Sequence, residues 1–156
     1  MFGIRFIKVN PTTHLMAFRR GKVFAQGSGL SLLYYGPTTS LVAVPIQSRE
    51  IPFIFEKVTS DFQTVTVQGQ LSYRVSDPAR TATALNFSLT ADGKGYESDD
   101  PKKLSERVTA VAQVLVQQQI QSKPLSEAIR SSSDLAATVL AALQGNGELS
   151  ALGVEV

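Results

Sequence analysis

Between Phe62 and Val75 the chain alternates with a period of two. Val65, Val67, Gly69, Leu71, Tyr73 and Val75 take one set of positions; Thr64, Thr66, Gln68, Gln70, Ser72 and Arg74 take the other. Successive strand side chains point to opposite faces, so this pattern predicts a half-buried strand with one apolar and one polar face. Its Val, Thr and Tyr suit a pleated surface. At ~3.3 Å per residue the strand would run roughly 40 Å, longer than most. Gly69 predicts a bulge or bend near its middle.

Upstream, short apolar runs are separated by turn residues. Ile4 to Val9 ends at Asn10-Pro11, and Leu15 to Phe18 ends at Arg19-Arg20-Gly21. Val23-Phe24 leads to Gly27-Ser28-Gly29, Leu30 to Tyr35 is closed by Gly36-Pro37, and Leu41 to Val44 precedes Pro45. Such spacing predicts a meander of short antiparallel strands. Ile51 to Phe55 is apolar at successive positions, which predicts a strand covered on both faces.

Downstream the period changes. Asp77-Pro78 is a helix start, with the helix running to Leu85. Leu89 to Lys103 is rich in Gly, Asp and Ser and reads as a loop, with Asp99 or Asp100 and Pro101 able to open the next helix. There Leu104, Val108, Val111 or Ala112, and Leu115 fall at spacings of three and four, one stripe of an amphipathic helix ending near Gln121 before Lys123-Pro124. Leu125, Ala128 and Ile129 make a brief turn. A second helix follows from Ser133 or Asp134, with Leu135, Val139 and Leu143 on one face, and Gly145-Asn146-Gly147 ends it. Gly153 to Val156 reads as the start of a strand. Strands followed by helices predict an α+β domain over residues 1–156: an antiparallel multi-stranded sheet, helices packed on one face, and a helical C-terminal segment.

Composition narrows the chemistry. With no cysteine, disulfides, thiolate catalysis and Cys-ligated zinc are excluded, and a reducing compartment fits. His14 is the one histidine, which excludes paired-His metal sites. The net charge of +2 comes without a dense Lys/Arg cluster, so nucleic acid is not expected; it is compatible with weak attraction to an anionic membrane surface. No apolar stretch approaches the ~20 residues of a membrane span.

Taken in order, several short strings resemble one family. Thr59-x-Asp61, Thr64-Val65-x-Val67 and Tyr73-Arg74-Val75-x-Asp77-Pro78 look like the core signature of the stomatin–prohibitin–flotillin (SPFH, or band 7) domains. Val9-x-Pro11, Gly21-Lys22, Gly27-x-Gly29-Leu30, Val44-Pro45 and Pro52-Phe53 resemble its earlier strands. Leu125-Ser126-Glu127 and Leu152-Gly153-Val154-x-Val156 resemble its helical close. The resemblance implies a non-catalytic scaffold, without cofactors, that forms homo-oligomers, organises membrane regions and regulates membrane proteins. It also implies a piece of a longer protein with a C-terminal coiled coil, peripheral on the cytoplasmic face of a membrane. The alternative is a protein- or peptide-binding adaptor that uses a sheet edge or groove without membrane.

Candidate site residues follow from these readings. Phe2, Ile4, Phe6 and Ile7 are expected to touch a membrane interface, with Arg5 and Lys8 meeting headgroups; ordinary sheet packing is the competing and commoner fate. Leu30 to Tyr35 and Ile51 to Phe55 are rivals for that role. The polar strand face of Thr64, Thr66, Gln68, Gln70, Ser72 and Arg74, and the basic group Lys102, Lys103 and Arg107, are expected at a subunit interface or in water. Gly27-Ser28-Gly29 lacks the helix and Lys-Ser/Thr of a phosphate loop. Asp61 and Asp77 lie at opposite ends of a long strand, as turn and cap residues. Glu97, Asp99 and Asp100 lack calcium-loop spacing, and Ser131-Ser132-Ser133 lacks a base, leaving capping.

Overall fold

A computed structural model describes residues 3–156, so Phe2 lies outside the described residues. The strands are β1 (Ile4–Lys8), β2 (Thr13–Arg19), β3 (Lys22–Ser28), β4 (Ser31–Tyr35), β5 (Thr39–Pro45), β6 (Arg49–Val58), β7 (Thr64–Val75) and β8 (Val154–Glu155). The helices are α1 (Pro78–Ala84), α2 (Asp100–Gln121), α3 (Leu125–Arg130), α4 (Ser132–Gln144) and α5 (Gly147–Ala151). This is the α+β class predicted. The early strands, however, are not a simple meander. β1 pairs with β4, β2 sits between β3 and β5, and β7 sits between β6 and β8, all antiparallel.

The β2–β3 hairpin turns on Arg20 and Gly21, at φ 55° and 76°. Two left-handed residues make the turn whose twist matches the flanking strands. β4 then returns past this hairpin to pair with β1, in the register Ile4↔Tyr35 and Phe6↔Leu33.

β2 and β5 are buried on both faces. Leu15, Ala17, Leu41 and Ala43 join Ile7 and Tyr34 in a small outer core. Met16, Val42 and Val44 turn the other way, into the main core with Phe55, Leu71, Tyr73 and the helices. The β1–β4 ribbon is therefore a lid over the outer face of the β3–β2–β5 sheet, and α2 and α4 cover the inner face of β6–β7.

β6 and β7 pair in unbroken register from Arg49↔Tyr73 to Val58↔Thr64. Gly69 makes no bulge. A Cβ there would sit 2.9 Å from the Phe53 ring, which stacks on Phe55 at 4.7 Å; the glycine leaves room for that ring. Phe62 is not in the strand either. It occupies the β6–β7 turn at φ 62° and is exposed, and β7 begins at Thr64. Ile54, expected to be covered, is 68% exposed, because the ladder puts it opposite Gln68 on the outer face.

Asp77 caps α1 by accepting from the Arg80 N–H. In α2 the buried stripe is Leu104, Val108, Val111, Ala112, Val116 and Ile120. The brief turn at Leu125 is a full helix, α3, and Ile129 on it is exposed. Asn146 opens an unanticipated helix, α5, through its side chain, which buries Leu149. At the end of β7, the Ser76 and Asp77 N–H groups donate to the Gly153 carbonyl at 2.8 and 3.1 Å. Buried Thr81 donates its hydroxyl to the Leu152 carbonyl at 2.6 Å.

Candidate functional site

The outer face of the β1–β4 ribbon is apolar and open. Alternation sends Ile7 inward, where it is 8% exposed and packs with Tyr34; its expected membrane role is corrected by that burial. Ile4 and Phe6 point the other way and are 55% and 63% exposed. Directly across the ladder stand Tyr35 and Leu33, 44% and 68% exposed. Directly opposed side chains in an antiparallel pair are in contact range, so these four make one patch. Leu33 and Tyr35 belong to a segment that the sequence offered only as a rival to β1; pairing merges the two. Lys8 flanks the patch on the same face, opposite Ser31.

A second feature at this end was not visible as a site in the sequence. The β2–β3 hairpin carries Arg19, Arg20 and Lys22 around its turn, followed by exposed Val23 and Phe24. The Arg19 guanidinium lies 4.6 Å from the centre of the Phe24 ring, a cation–π contact. Arg19 also pairs with Thr39, which follows Tyr35 after the short helical turn Gly36–Thr38. The basic tip therefore sits at the Tyr35 end of the ribbon. Its signal was three cations within four residues, split by the glycine turn.

The polar face of β7 lies elsewhere. Thr64, Thr66, Gln68, Gln70, Ser72 and Arg74 are all exposed, on the side of β7 away from the helices. Arg74 is engaged within the chain, its guanidinium 2.9 Å from Glu155. Lys102, Lys103 and Arg107 are exposed on α2, with Lys103 paired to Asp100 at 3.2 Å. Since α2 covers the opposite face of the sheet, the two groups proposed for a subunit interface are not brought together.

The β6–β7 turn is tied to the helices. The Asp61 carboxylate accepts from the Thr59 hydroxyl and from the Leu125 N–H at 3.1 Å, so it caps α3 from across the fold. These bonds, the Thr59 hydroxyl first, hold its carboxyl below the usual carboxylate range. The Ser60 N–H donates to the Lys123 carbonyl at 2.9 Å.

A cleft of about 480 Å³ is lined by Arg49, Tyr73, Tyr96, Asp99 and Lys102 among others. Burial pushes both tyrosines up, only partly offset by Arg49. Both stay protonated at neutral pH, and Tyr96 already donates its hydroxyl to the Ala43 carbonyl at 2.8 Å. His14 is half-buried in β2, between Ser28 and Val44 on the neighbouring strands. Among the described residues there is no group of three or more His, Asp or Glu placed to hold a metal ion. Asp100 accepts from the Asn86 N–H and from Lys103, which hold its carboxyl low. Ser131 sits at the start of α4 without a side-chain cap bond, and Gly29 is a left-handed turn residue against Pro11. Among the described residues no helix is long and apolar enough to cross a membrane.

None of the curated proteins compared with the chain matches it. A family model does: the one described as SPFH domain / Band 7 family aligns with residues 7–156. Its members are generally scaffold-like and associated with membranes, and generally not enzymes. The strings that resembled this family now have places in the fold. Thr59 and Asp61 form the β6–β7 turn and its link to α3, Tyr73 to Pro78 is the junction of β7 with α1, and Gly153 closes on that junction. A match of this extent, over strands and helices alike, means that the chain belongs to the SPFH domain / Band 7 family.

Proposed function

We propose that this domain is a non-enzymatic, peripheral membrane scaffold that rests on an anionic bilayer through the outer face of β1–β4 and the tip of the β2–β3 hairpin. The observation that carries the reading is the pair of cross-strand contacts Ile4↔Tyr35 and Phe6↔Leu33, apolar and exposed on a ribbon whose inner face is already packed. Folding needs the inner face alone. Contiguous exposed apolar side chains rimmed by polar ones mark interaction surfaces, and the flanking Lys8, Arg19, Arg20 and Lys22 select an anionic one. Each cation near such a surface contributes about 1 kcal/mol, and the cytoplasmic leaflet is the anionic one. A few shallow contacts bind one copy weakly; a homo-oligomer adds them by multivalency. The polar outer face of β7, or the Lys102, Lys103 and Arg107 group on α2, is the surface through which neighbouring copies pack.

Co-sedimentation with vesicles tests this. The chain should pellet with phosphatidylserine-containing vesicles at low salt, and salt should weaken the binding. The double substitution Phe6→Ser/Leu33→Ser should lower binding at least tenfold, since each removed side chain is worth up to about 1.5–3 kcal/mol of burial. Failure of the unaltered chain to pellet at low salt, or equal binding by the double variant, would refute the membrane reading.

A further inference from the structure

The 480 Å³ cleft is drawn from four parts of the fold: the end of β5, the start of β6, the end of β7, and the stretch from Phe87 into the first turns of α2. Ladder pairing sets Arg49 directly opposite Tyr73, so the two side chains stand on one face within contact range. Tyr73 is only 4% exposed and lines the cleft. The tyrosine hydroxyls that donate within the chain are those of Tyr34 and Tyr96, so among the described residues that of Tyr73 has no partner. Buried polar groups are otherwise hydrogen-bonded, and the cleft is the side from which a partner can reach this one. The charges around it are unpaired as well. Ion pairs among the described residues join Arg74 to Glu155, Arg80 to Asp77 and Lys103 to Asp100; Arg49, Lys102 and Asp99, which line the cleft, have none. Asp99 makes no side-chain cap bond to α2 either. Lys102 lies in the first turn of α2, at the positive end of a 22-residue helix. Pro45, Val75, Phe87 and Leu104 add apolar wall.

We propose that this cleft binds a small organic monocarboxylate with an apolar body. Two cations against one carboxylate leave an excess of one positive charge, which a singly charged head balances. Asp99 repels a second negative charge, so a phosphate dianion is disfavoured. The planar Arg49 guanidinium matches a carboxylate through two parallel hydrogen bonds. The protonated Tyr73 hydroxyl donates to the same head, and Lys102 adds charge to it. The body lies against Val75, Phe87 and Leu104, where burial of carbon supplies affinity. A few convergent polar groups on an apolar wall are the usual make-up of a small-molecule site. The serine headgroup of an anionic lipid also carries a carboxylate. The free acid is favoured because none of the cleft's lining residues belongs to the β1–β4 patch or the hairpin tip that face the bilayer in the proposed function.

The test titrates the 156-residue chain with hexanoate, phenylacetate and phenyl phosphate, and with the neutral amides of the two acids, following backbone amide chemical shifts. The expected result is saturable shifts at Arg49, Tyr73 and Lys102, with at least one acid binding at least tenfold tighter than its amide. Tyr73→Phe removes only the unpartnered hydroxyl. It should keep the melting temperature and weaken binding about tenfold, as the loss of a hydrogen bond to a charged group does. Arg49→Gln, at an exposed position, should also keep the melting temperature and weaken binding at least tenfold. Both variants should pellet with phosphatidylserine vesicles as the unaltered chain does. No saturation by either acid, equal binding of acids and amides, tighter binding of phenyl phosphate than of phenylacetate, or full binding by either folded variant overturns the proposal. Loss of vesicle binding in Arg49→Gln also overturns it, because a lipid headgroup would then be the occupant.

Discussion

The β1–β4 and β6–β7 ribbons obey the same alternation and end with opposite outer faces. Both bury one face, the first on the β3–β2–β5 sheet and the second under α2 and α4. Outward, β6–β7 shows mainly Thr, Gln, Ser and charged residues, with Ile54 and Val58 the large apolar exceptions, whereas β1–β4 shows Ile4, Phe6, Leu33 and Tyr35. Stability explains the inner faces alone. An outer face is free to be polar, and the longer ribbon mostly is. The departure on the shorter ribbon is therefore not a by-product of folding, which is why the membrane reading rests there.

That contrast can be broken most severely on the inner faces. Ile7→Ala and Leu71→Ala, buried on the two ribbons, should each cost about 2–5 kcal/mol, read as a lower urea midpoint. A negligible loss at Ile7 would mean that the first ribbon is not clamped to the sheet, and the contrast would collapse. Gly69→Ala comes next. It pushes a methyl group against Phe53 and should cost about 1–3 kcal/mol. On the outer faces Phe6→Ser and Gln70→Ala should both stay within about 0.5 kcal/mol of the unaltered chain; a large loss at Phe6 would make its exposure structural after all. Arg74→Ala removes a pair with Glu155 in which both side chains are more than half exposed, and solvent screening holds the cost to about 0–1 kcal/mol.

The subtlest expectation concerns Asp61, at the tip of the longer ribbon. Its carboxyl titrates below its ordinary range in the folded chain. The stability it contributes is therefore present above the unfolded value of ~3.9 and is lost as pH falls through the lower folded value. Melting temperature between pH 5 and pH 2 should fall more steeply for the unaltered chain than for Asp61→Asn. Parallel curves would remove Asp61 from the link between turn and helix.

Much of this was legible locally. The inner and outer sets of β7 follow from period two, and the α2 stripe from spacings of three and four. Asp77-Pro78 followed from capping chemistry. What escaped depended on distant partners. Phe6-Ile7 is a run in which either residue could face inward, and only pairing with β4 and burial on β2 and β5 assign Ile7 to the core. Ile54 looked covered because its neighbours Phe53 and Phe55 are apolar, yet its face has nothing packed on it. Gly69 looked like a bulge because the ring it accommodates belongs to β6. The single candidate patch is built from residues 4–6 and 33–35, so no local window contains it. The basic hairpin tip was in view as a turn, but its position at the Tyr35 end depends on the pairing of β2 with β5.

The closure of β7 by β8 carries a consequence in time. Val75 and Val154 are paired neighbours separated by most of the helical half of the chain. At synthesis rates of about 5–20 residues per second, β7 is complete about 4–16 s before the residues that lock Ser76 and Asp77 through Gly153 have been made. During that interval the longest strand of the molecule is a nascent segment whose junction with α1 is not yet locked. The β6 strand, made before it, is the pairing partner at hand throughout.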